Sequence, residues 1–283
     1  MAEIPPRAGI IGWPVSYSRS PILHGYWLRK YVIAGTYERI PIAPENFPAE
    51  FRALSAQGFV GANVTIPHKQ SAMRCCDELD SIAKRLGAVN TLIIKNGRFY
   101  GSNTDGFGFM ENLRQGAPNW KPQSGPAVII GAGGAARAVI AALSDAGVKE
   151  IRLFNRTRTR ADQLAADLGG PIVTADWAGL NSALGDCTLL VNCSSLGMAG
   201  QPELEISLQA LPPSAFVTDL VYTPLYTPLL IAAAARGNPT VDGLGMLLHQ
   251  ARPGFAAWFG IMPEVDDALR NILLADIESG KGK

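Results

Sequence analysis

The sequence predicts a two-domain α/β protein, and three features of the chain carry that prediction. Strand-like and helix-like segments alternate along its whole length. A glycine-rich turn, Gly131 to Gly134, follows an apolar strand candidate and opens a helix. Residues 114–126 are rich in Gly, Pro and Gln and look like an inter-domain linker. We therefore expect an N-terminal three-layer α/β domain, a second, doubly wound domain of the Rossmann type, and a ligand cleft between them.

Composition agrees with such a protein and argues against other classes. The chain has 283 residues, of which 47% are hydrophobic and 17% are charged. A net charge of +1 gives no electrostatic reason to expect nucleic acid or an anionic membrane as a partner. No apolar run approaches the roughly 18–20 residues of a membrane span, and no signal peptide is evident. Four scattered cysteines and three histidines predict reduced thiols in a cytoplasmic protein without a metal site.

The first hundred residues predict a small α/β unit with some antiparallel pairing. Ser20 and Pro21 have the residue types of a helix N-cap and of the first helical position. Asn96-Gly97 predicts a tight hairpin turn between two strands. The other strand candidates of this part are residues 8–12, 36–42 and 59–66.

Beyond the expected linker the strand candidates are continuous apolar runs separated by helical stretches. This pattern is typical of a parallel sheet that is covered on both faces. From about Gly243 onward the chain is helical to its end. The strand candidates here include residues 150–155, 171–174, 187–193 and 215–221. The expected domains are residues 1–105 with 247–283, and residues 106–246.

The glycine-rich turn has the composition of a phosphate-binding loop. Gly131 would permit a tight turn, and Gly133 and Gly134 would let the backbone approach a pyrophosphate at the helix N-terminus. Ala136 stands in the place of the third glycine of the dinucleotide-binding pattern. Close packing of a helix on a strand also requires glycine, so the strand–turn–helix context is what favours a bound dinucleotide.

The next strand indicates which dinucleotide binds. It ends at Asn155, without the carboxylate that usually holds the ribose 2′-hydroxyl of NAD. Three arginines follow within residues 156–160, and guanidinium groups suit a 2′-phosphate. A solvated basic helix start is the alternative, although cations at that position oppose the helix dipole. The sequence predicts NADP(H) as the cofactor.

Polar residues in the N-terminal half lie where strands are expected to end. Lys69 is placed in the first turn of a helix, where the helix dipole should make its ammonium group easier to deprotonate. A solvated surface lysine is the alternative. Asp105 is either a simple N-cap or a functional acid. Ser18 and Ser20 either belong to a turn or bind a small polar ligand.

Eight segments then link the chain to a known family. They occur in order between residue 9 and about residue 251, which is nearly the whole chain. The segments are GWPVSYSRSP with His24, GANVTIPHK, GSNTDGFG, GAGGAARA, NRTRTRA, NCSSLGM, DLVYTPLYTPLL and GLGMLLHQA. In these segments the chain resembles the shikimate dehydrogenase family.

The resemblance implies a reaction and a set of site residues. The reaction is reversible hydride transfer between NADPH and the C3 carbonyl of 3-dehydroshikimate, which gives shikimate in the pathway to chorismate and the aromatic amino acids. Lys69 corresponds to the catalytic lysine and Asp105 to its acidic partner, with the formal proton donor left open. The implied substrate-binding residues are Ser18, Ser20, Thr65, Asn90, Tyr222 and Gln250. The implied cofactor-binding residues are Gly131, Ala132, Gly133, Gly134, Ala135, Asn155, Arg156, Thr157, Arg160, Gly243 and Met246.

Two positions depart from the family pattern and several alternatives stay open. Tyr17 replaces the histidine that commonly precedes Ser18, and Gly25 replaces the asparagine that commonly follows His24. The nearest alternative is a quinate/shikimate dehydrogenase that uses NAD or both cofactors. A methylenetetrahydrofolate dehydrogenase-like enzyme and a catalytically inactive NADP-binding sensor are more distant alternatives. The sequence leaves open whether the protein is a monomer or a homodimer.

Overall fold

The computed structural model describes residues 5–280 and divides the chain into two compact units. Unit 1 extends to Thr104 and resumes at Gln250, and unit 2 comprises Asp105–His249. The strands are β1 (Arg7–Gly12), β2 (Thr36–Pro41), β3 (Phe59–Val64), β4 (Glu78–Leu79), β5 (Thr91–Lys95), β6 (Arg98–Ser102), β7 (Ala127–Ile130), β8 (Ile151–Phe154), β9 (Ile172–Ala175), β10 (Leu189–Asn192), β11 (Phe216–Asp219) and β12 (Thr240–Val241). The helices are α1 (Ser20–Lys30), α2 (Phe47–Ala53), α3 (Lys69–Cys75), α4 (Ser81–Leu86), α5 (Asp105–Gly116), α6 (Gly134–Asp145), α7 (Arg158–Leu168), α8 (Pro228–Ala235), α9 (Leu244–Phe259) and α10 (Asp267–Glu278).

Unit 1 is built on a six-stranded mixed sheet with the strand order β2-β1-β3-β5-β6-β4. β1 pairs in parallel with β2 and β3, whereas β5 pairs antiparallel with β3 and β6. One face of the sheet packs on a cluster that includes Phe47, Phe51 and Phe99. The β5–β6 hairpin turns at Asn96-Gly97 as the sequence predicts, and both residues have the positive φ that a two-residue turn of this kind requires.

The start of α1 corrects one prediction. The N-cap residue is Arg19 rather than Ser20, and the Arg19 side chain makes no capping hydrogen bond. The backbone at Arg19 already has right-handed helical dihedral angles, with φ −87° and ψ −5°. Its carbonyl accepts hydrogen bonds from the N–H groups of Ile22 and Leu23. The helix therefore begins at Ser20 itself, whose N–H donates a hydrogen bond of 3.3 Å to the Ser18 Oγ atom.

The second face of the unit 1 sheet is covered by an aromatic cluster, here called the His24 cluster: His24, Trp27, Tyr37, Phe255 and Trp258. The Trp258 indole Nε1 donates a hydrogen bond of 2.9 Å to the carbonyl of Leu92 on β5. A Cβ atom at Gly61 on β3 would lie only 2.0 Å from that indole nitrogen. Glycine is therefore required for the ring to lie on the sheet.

Unit 2 contains a six-stranded, fully parallel sheet with the order β12-β11-β10-β7-β8-β9. This is the doubly wound order of a Rossmann-type domain, which confirms the prediction. Val128 and Ile130 on β7 belong to one hydrophobic cluster, and Ala127 and Ile129 belong to another. Because β7 is buried on both faces, its sequence is a continuous apolar run.

The expected inter-domain linker is a second correction. Residues 114–116 form the last turn of α5, and the rest of the segment leads into β7 within unit 2. Ala117 is buried, and a Cβ atom at Gly116 would meet the Val241 side chain at 2.8 Å. The glycine and alanine residues of this segment therefore serve close packing inside the unit, which local composition does not reveal.

His24 lies at the centre of the His24 cluster. Its ring stacks on the ring of Tyr37 with a centroid distance of 3.8 Å and an interplanar angle of 8°. Neither ring nitrogen has a hydrogen-bond partner among the described residues. Complete burial lowers the pKa of His24 from 6.5 to about 3, against a smaller opposing effect of the nearby Asn63 side chain. The imidazole is therefore neutral in the folded protein at neutral pH.

This pKa shift predicts a loss of stability in acid. The folded pKa lies below the unfolded one, so the unfolded chain binds more protons as the pH falls from 6.5 toward 3. Between about pH 7 and about pH 5, we expect His24 to lower the free energy of unfolding by about 2 kcal/mol. Urea unfolding at both pH values should show that extra loss in the wild type and not in His24→Phe. Phe255→Leu, which alters the same cluster without removing a titratable group, should keep the wild-type pH dependence. An equal pH dependence in wild type and His24→Phe would contradict the prediction.

Candidate functional site

The loop after β1 brings two predicted ligand residues, Ser18 and Ser20, together at the start of α1. The Ser20 N–H donates a hydrogen bond of 3.3 Å to the Ser18 Oγ atom. Because this oxygen accepts from the backbone, the hydroxyl proton of Ser18 points elsewhere and remains available for an acceptor. The Arg39 guanidinium donates a hydrogen bond of 2.8 Å to the Ser18 carbonyl, which adds positive charge beside the loop. Hydroxyl donors beside a cation suit an anionic ligand group such as a carboxylate.

The loop after β3 fixes Thr65 and Lys69. The Thr65 N–H donates to the Ile11 carbonyl on β1 at 2.9 Å, and the Thr65 carbonyl accepts from the His68 N–H at 2.9 Å. Lys69 is the first residue of α3, as predicted, and no acidic residue occurs in the first turn. The Lys69 carbonyl accepts a hydrogen bond of 3.0 Å from the N–H of Val89. Val89 directly precedes the predicted ligand residue Asn90. This hydrogen bond therefore fixes the Lys69 backbone next to the segment that contains Asn90.

Asn90 is buried and directly precedes β5. Its Oδ1 atom accepts hydrogen bonds from the Thr91 hydroxyl and from the Thr104 N–H, each at 2.9 Å. The Thr104 hydroxyl donates a 2.8 Å hydrogen bond to the carbonyl of Gln250. Thr104 therefore contacts Asn90 and Gln250, two of the three residues that the resemblance assigns to the hydroxyls of a ring.

Two residues that the sequence analysis did not single out, the partly buried Tyr37 and the buried Asn63, are linked by hydrogen bonds to Asn90. The Tyr37 hydroxyl donates a 2.7 Å hydrogen bond to Asn63 Oδ1. The Asn63 amide nitrogen donates to the Asn90 carbonyl at 3.3 Å. Burial raises the pKa of Tyr37 well above its usual value, so its hydroxyl stays protonated. The sequence signal for Asn63 is a lone amide in the otherwise apolar strand FVGANV.

The glycines of the glycine-rich turn in unit 2 differ in whether packing inside the protein requires them. Gly131 has a φ of +104°, and a Cβ atom there would lie 3.0 Å from the Ser194 backbone nitrogen. At Gly133 and Gly134 an added Cβ atom would meet nothing within 4 Å. Packing inside the protein therefore requires glycine only at the first of the three positions. The first turn of α6 has no side-chain cap and no acidic residue, so its N–H groups suit a pyrophosphate.

Asn155 ties this turn to the loop after β8. Its Oδ1 atom accepts a hydrogen bond of 3.2 Å from the Ala132 N–H, and its Nδ2 atom donates to the Thr157 carbonyl at 2.8 Å. The side chain that ends β8 thus holds two segments of the predicted cofactor site in a fixed relation. A carboxylate there would lose the second hydrogen bond, because it has no donor.

The three arginines after Asn155 differ in their contacts. The Arg158 guanidinium donates to Asp162, Asp176 and Thr174 at 2.8, 3.0 and 3.1 Å. The side chains of Arg156 and Arg160 are exposed and make no hydrogen bond or ion pair with any residue between 5 and 280. These two guanidinium groups, and not that of Arg158, suit a phosphate group of a ligand.

The ends of β10 and β11 carry a buried polar pair that the sequence analysis also left without a role. Asp219 accepts hydrogen bonds from Asn192 Nδ2 and the Val221 N–H, both at 3.0 Å, and from the Thr227 hydroxyl at 2.7 Å. Burial raises the pKa of Asp219, and these three donors partly oppose the shift. Val221 and Thr227 flank the segment that contains Tyr222, so Asp219 anchors this segment on both sides.

The remaining predicted residues of unit 2 lie at the ends of helices. Asp105 is the first residue of α5 and is buried. Gly243 directly precedes α9, and a Cβ atom there would lie 2.5 Å from the Leu220 carbonyl oxygen, so packing alone requires this glycine. Met246 packs against the hydrophobic core of unit 2.

Residues 5–280 contain no group of three or more His, Cys, Asp or Glu side chains that could hold a metal ion. In the same part of the chain, no helix has both the length and the apolar character needed to cross a membrane. All four cysteines are free thiols, and burial raises the pKa of Cys76 and of Cys187 to about 12. These thiols therefore stay protonated at neutral pH.

Two family models match the chain. Residues 10–92 match the model described as shikimate dehydrogenase substrate binding domain. Residues 117–198 match the model described as shikimate / quinate 5-dehydrogenase. The first match lies within unit 1 and the second within unit 2.

The chain is also similar to named proteins over nearly its whole length. It is 60% identical to the shikimate dehydrogenase (NADP(+)) of Paramagnetospirillum magneticum, over 95% of this chain and 98% of the relative. The corresponding protein of Paracoccus denitrificans is 55% identical over 95% of this chain and 96% of the relative. Among solved structures, quinate dehydrogenase from Corynebacterium glutamicum in complex with NAD has a TM-score of 0.89 at 32% identity, covering 96% of this chain and 99% of that one. Shikimate 5-dehydrogenase from Thermus thermophilus in complex with NADP(H) and shikimate has a TM-score of 0.84 at 34% identity, covering 96% and 99%.

Proposed function

The chain belongs to the shikimate dehydrogenase family, and we propose that it catalyses the reversible NADPH-dependent reduction of 3-dehydroshikimate to shikimate. It is an oxidoreductase that acts on a CH–OH group, in the shikimate pathway of aromatic amino-acid biosynthesis. The observation that carries this function is the similarity to relatives named shikimate dehydrogenase (NADP(+)) over nearly the whole chain. We place the enzyme in the cytoplasm, where its free thiols would stay reduced.

We assign substrate binding to polar residues at the strand ends. Ser18 and Ser20 donate hydrogen bonds to the substrate carboxylate, supported by the contact of the Ser20 N–H with Ser18 Oγ and by the nearby Arg39 guanidinium. Tyr222 lies near the same carboxylate. Thr65, Asn90 and Gln250 bind the ring hydroxyls.

The residues present fit NADP(H). The uncapped first turn of α6, the open space at Gly133 and Gly134, and the exposed guanidinium of Arg156 support this assignment. When bound, the nicotinamide supplies the hydride donor or acceptor. The residues assigned to the cofactor are Gly131, Ala132, Gly133, Gly134, Ala135, Asn155, Arg156, Thr157, Arg160, Gly243 and Met246.

Lys69 and Asp105 perform the proton transfer in this proposal. They hold the substrate oxygen that changes between carbonyl and hydroxyl, and they deliver or remove its proton. Positioned acid–base catalysis of this kind typically contributes about 10²–10⁴-fold to the rate.

One observation favours a second activity, the oxidation of quinate with NAD, because a quinate dehydrogenase in complex with NAD is among the similar structures. The absence of a carboxylate at Asn155 and the exposed Arg156 favour NADP instead. A catalytically inactive NADP-binding sensor would be expected to lack Lys69 or Asp105, and both are present.

A panel assay of the purified wild-type enzyme tests the function. Shikimate and quinate are each offered with NADP⁺ and with NAD⁺, and kcat/KM is measured for the four combinations. We expect shikimate with NADP⁺ to exceed each other combination by roughly tenfold or more. Preference for quinate with NAD⁺ would establish the second activity, and NADP binding without any turnover would establish the sensor.

Removal of either proton-transfer group should stop the reaction without preventing cofactor binding. We expect Lys69→Ala and Asp105→Asn each to lower kcat by roughly 10²–10⁴-fold. The Kd for NADPH, measured by fluorescence titration, should change little. Lys84→Ala, which removes an exposed lysine of α4, is the control and should keep wild-type kcat. Wild-type turnover in both variants would refute the assigned roles.

The arginines allow a matched test of cofactor selection. We expect Arg156→Ala to raise the KM for NADP⁺ by roughly tenfold or more, because a charge-assisted hydrogen bond to the 2′-phosphate is lost. The KM for NAD⁺ should change little. Arg158→Ala, two residues away, removes a guanidinium that is already paired and should alter the NADP⁺ to NAD⁺ ratio by less than about threefold. A parallel rise of both KM values in Arg156→Ala would contradict the assignment.

A further inference from the structure

The amide of Asn90 has a single orientation that its neighbours impose. The backbone N–H of Thr104 donates to it at 2.9 Å. A backbone N–H can only donate, so the atom that it contacts must be the amide oxygen. The amide nitrogen of Asn90 therefore lies on the opposite side of the group, with its two N–H donors.

The Thr91 hydroxyl supplies the second donor to the same oxygen. It lies 2.9 Å from Asn90 Oδ1. The Thr104 hydroxyl also lies near, at 3.2 Å, but it has one proton and is only 2.8 Å from the Gln250 carbonyl. The shorter contact takes that proton, which leaves Thr91 as the side chain that holds the amide oxygen of Asn90.

Asn63 sets the direction of the Thr91 hydroxyl. The Asn63 amide nitrogen lies 3.3 Å from the Asn90 carbonyl, which can only accept, and 3.4 Å from Thr91 Oγ1. Its amide oxygen accepts from the Tyr37 hydroxyl at 2.7 Å. Thr91 Oγ1 accepts from Asn63, and of its two possible acceptors Asn90 Oδ1, at 2.9 Å, is nearer than Thr104 Oγ1, at 3.2 Å, so its proton goes to Asn90. The hydrogen bonds thus run in one direction, from Tyr37 through Asn63 and Thr91 to Asn90.

These groups are shielded from water, which makes the arrangement energetically significant. Asn63 is 3% exposed, and Thr91 and Asn90 are each 2% exposed. A buried polar group that loses its partner has no water to replace it, so the loss of one hydroxyl is costly. Close packing alone would not distinguish the two ends of an amide, which have nearly the same shape.

We propose that Thr91 is a positioning residue that keeps the Asn90 amide with its N–H donors toward the substrate. This inference rests on the proposed function, in which Asn90 binds a ring hydroxyl of shikimate. The site would consequently select a ligand that presents an acceptor oxygen at this point. Thr91 acts through Asn90 and does not itself contact the substrate.

The test compares Thr91→Val, which keeps the β-branched shape and removes the hydroxyl, with Thr91→Ser, which keeps the hydroxyl. For Thr91→Val we expect the KM and Kd for shikimate to rise roughly tenfold, with kcat within about threefold and the KM for NADP⁺ unchanged. Thr91→Ser should return the KM to within about twofold of wild type. Thr218→Val, which alters a threonine of equal 2% exposure on β11, is the control for removal of a buried hydroxyl.

A second readout separates positioning from general damage to the fold. The four proteins are assayed with ring-deoxy shikimate analogues, each of which lacks one hydroxyl. The analogue without the hydroxyl that Asn90 binds should be discriminated against by wild type, Thr91→Ser and Thr218→Val, and much less by Thr91→Val. If thermal unfolding shows that Thr91→Val does not fold, Thr91→Ala removes the same hydroxyl with less steric demand.

Three outcomes would overturn the inference: a wild-type KM for shikimate in Thr91→Val, failure of Thr91→Ser to restore it, or an equal loss in Thr218→Val. If the wild-type enzyme does not oxidise shikimate with NADP⁺, the proposed function fails. If it does, and Thr91→Val binds shikimate as wild type does, only the positioning role fails.

Discussion

A polar side chain buried at the end of a strand must find its hydrogen-bond partners inside the protein, and this constraint shapes both units. In unit 1 it concerns Asn63 and Asn90, whose amides are satisfied by hydroxyl and backbone groups of neighbouring strands. In unit 2 it concerns Asn192 and Asp219, which bind each other and the loops that follow β10 and β11. These side chains at strand ends therefore fix the conformation of the loops that follow, and the loops contain residues that are assigned to ligand binding.

The glycines show how to separate packing from ligand binding. At Gly61 and Gly131 an added Cβ atom would collide with an indole ring or with backbone, so the fold alone explains the residue. At Gly133 and Gly134 the fold leaves open space. Glycine costs conformational entropy when the chain folds, so its presence there calls for another reason, and a closely approaching phosphate supplies one.

Much of the architecture could be predicted from the sequence because its signals are local. The apolar run of β7 and the Asn96-Gly97 turn each contain the information that defines their structure. The linker at residues 114–126 was predicted wrongly because a distant partner decides its structure: Val241 packs against Gly116. The capping role of Ser20 was predicted wrongly because the backbone at Arg19 already has helical dihedral angles.

In the candidate site, too, some features can be predicted from local sequence and others depend on distant partners. Motifs identify residues at strand ends that are assigned to ligand binding, but they do not reveal which of several similar side chains is already paired within the protein. Arg158 is paired with Asp162 and Asp176, although its position in the sequence is as suggestive as that of Arg156. The sequence does not reveal the roles of Tyr37 and Thr91 either. The role of Tyr37 depends on Asn63, which is distant in the sequence, and the role of Thr91 depends on the rotation of its hydroxyl.

The hydroxyl protons of the unit 1 hydrogen-bond network specify how its amide groups are oriented, which close packing alone would not do. Tyr37, Thr91 and Thr104 have one hydroxyl proton each, and these go to Asn63, Asn90 and Gln250. Rotation of the Tyr37 hydroxyl would remove the hydrogen bond to Asn63 Oδ1, and rotation of the Thr91 hydroxyl would leave Asn90 Oδ1 with the Thr104 N–H as its donor. Tyr37 on β2 therefore helps to fix the Asn63 amide, which in turn contacts the Asn90 carbonyl and the hydroxyl that donates to the Asn90 amide oxygen.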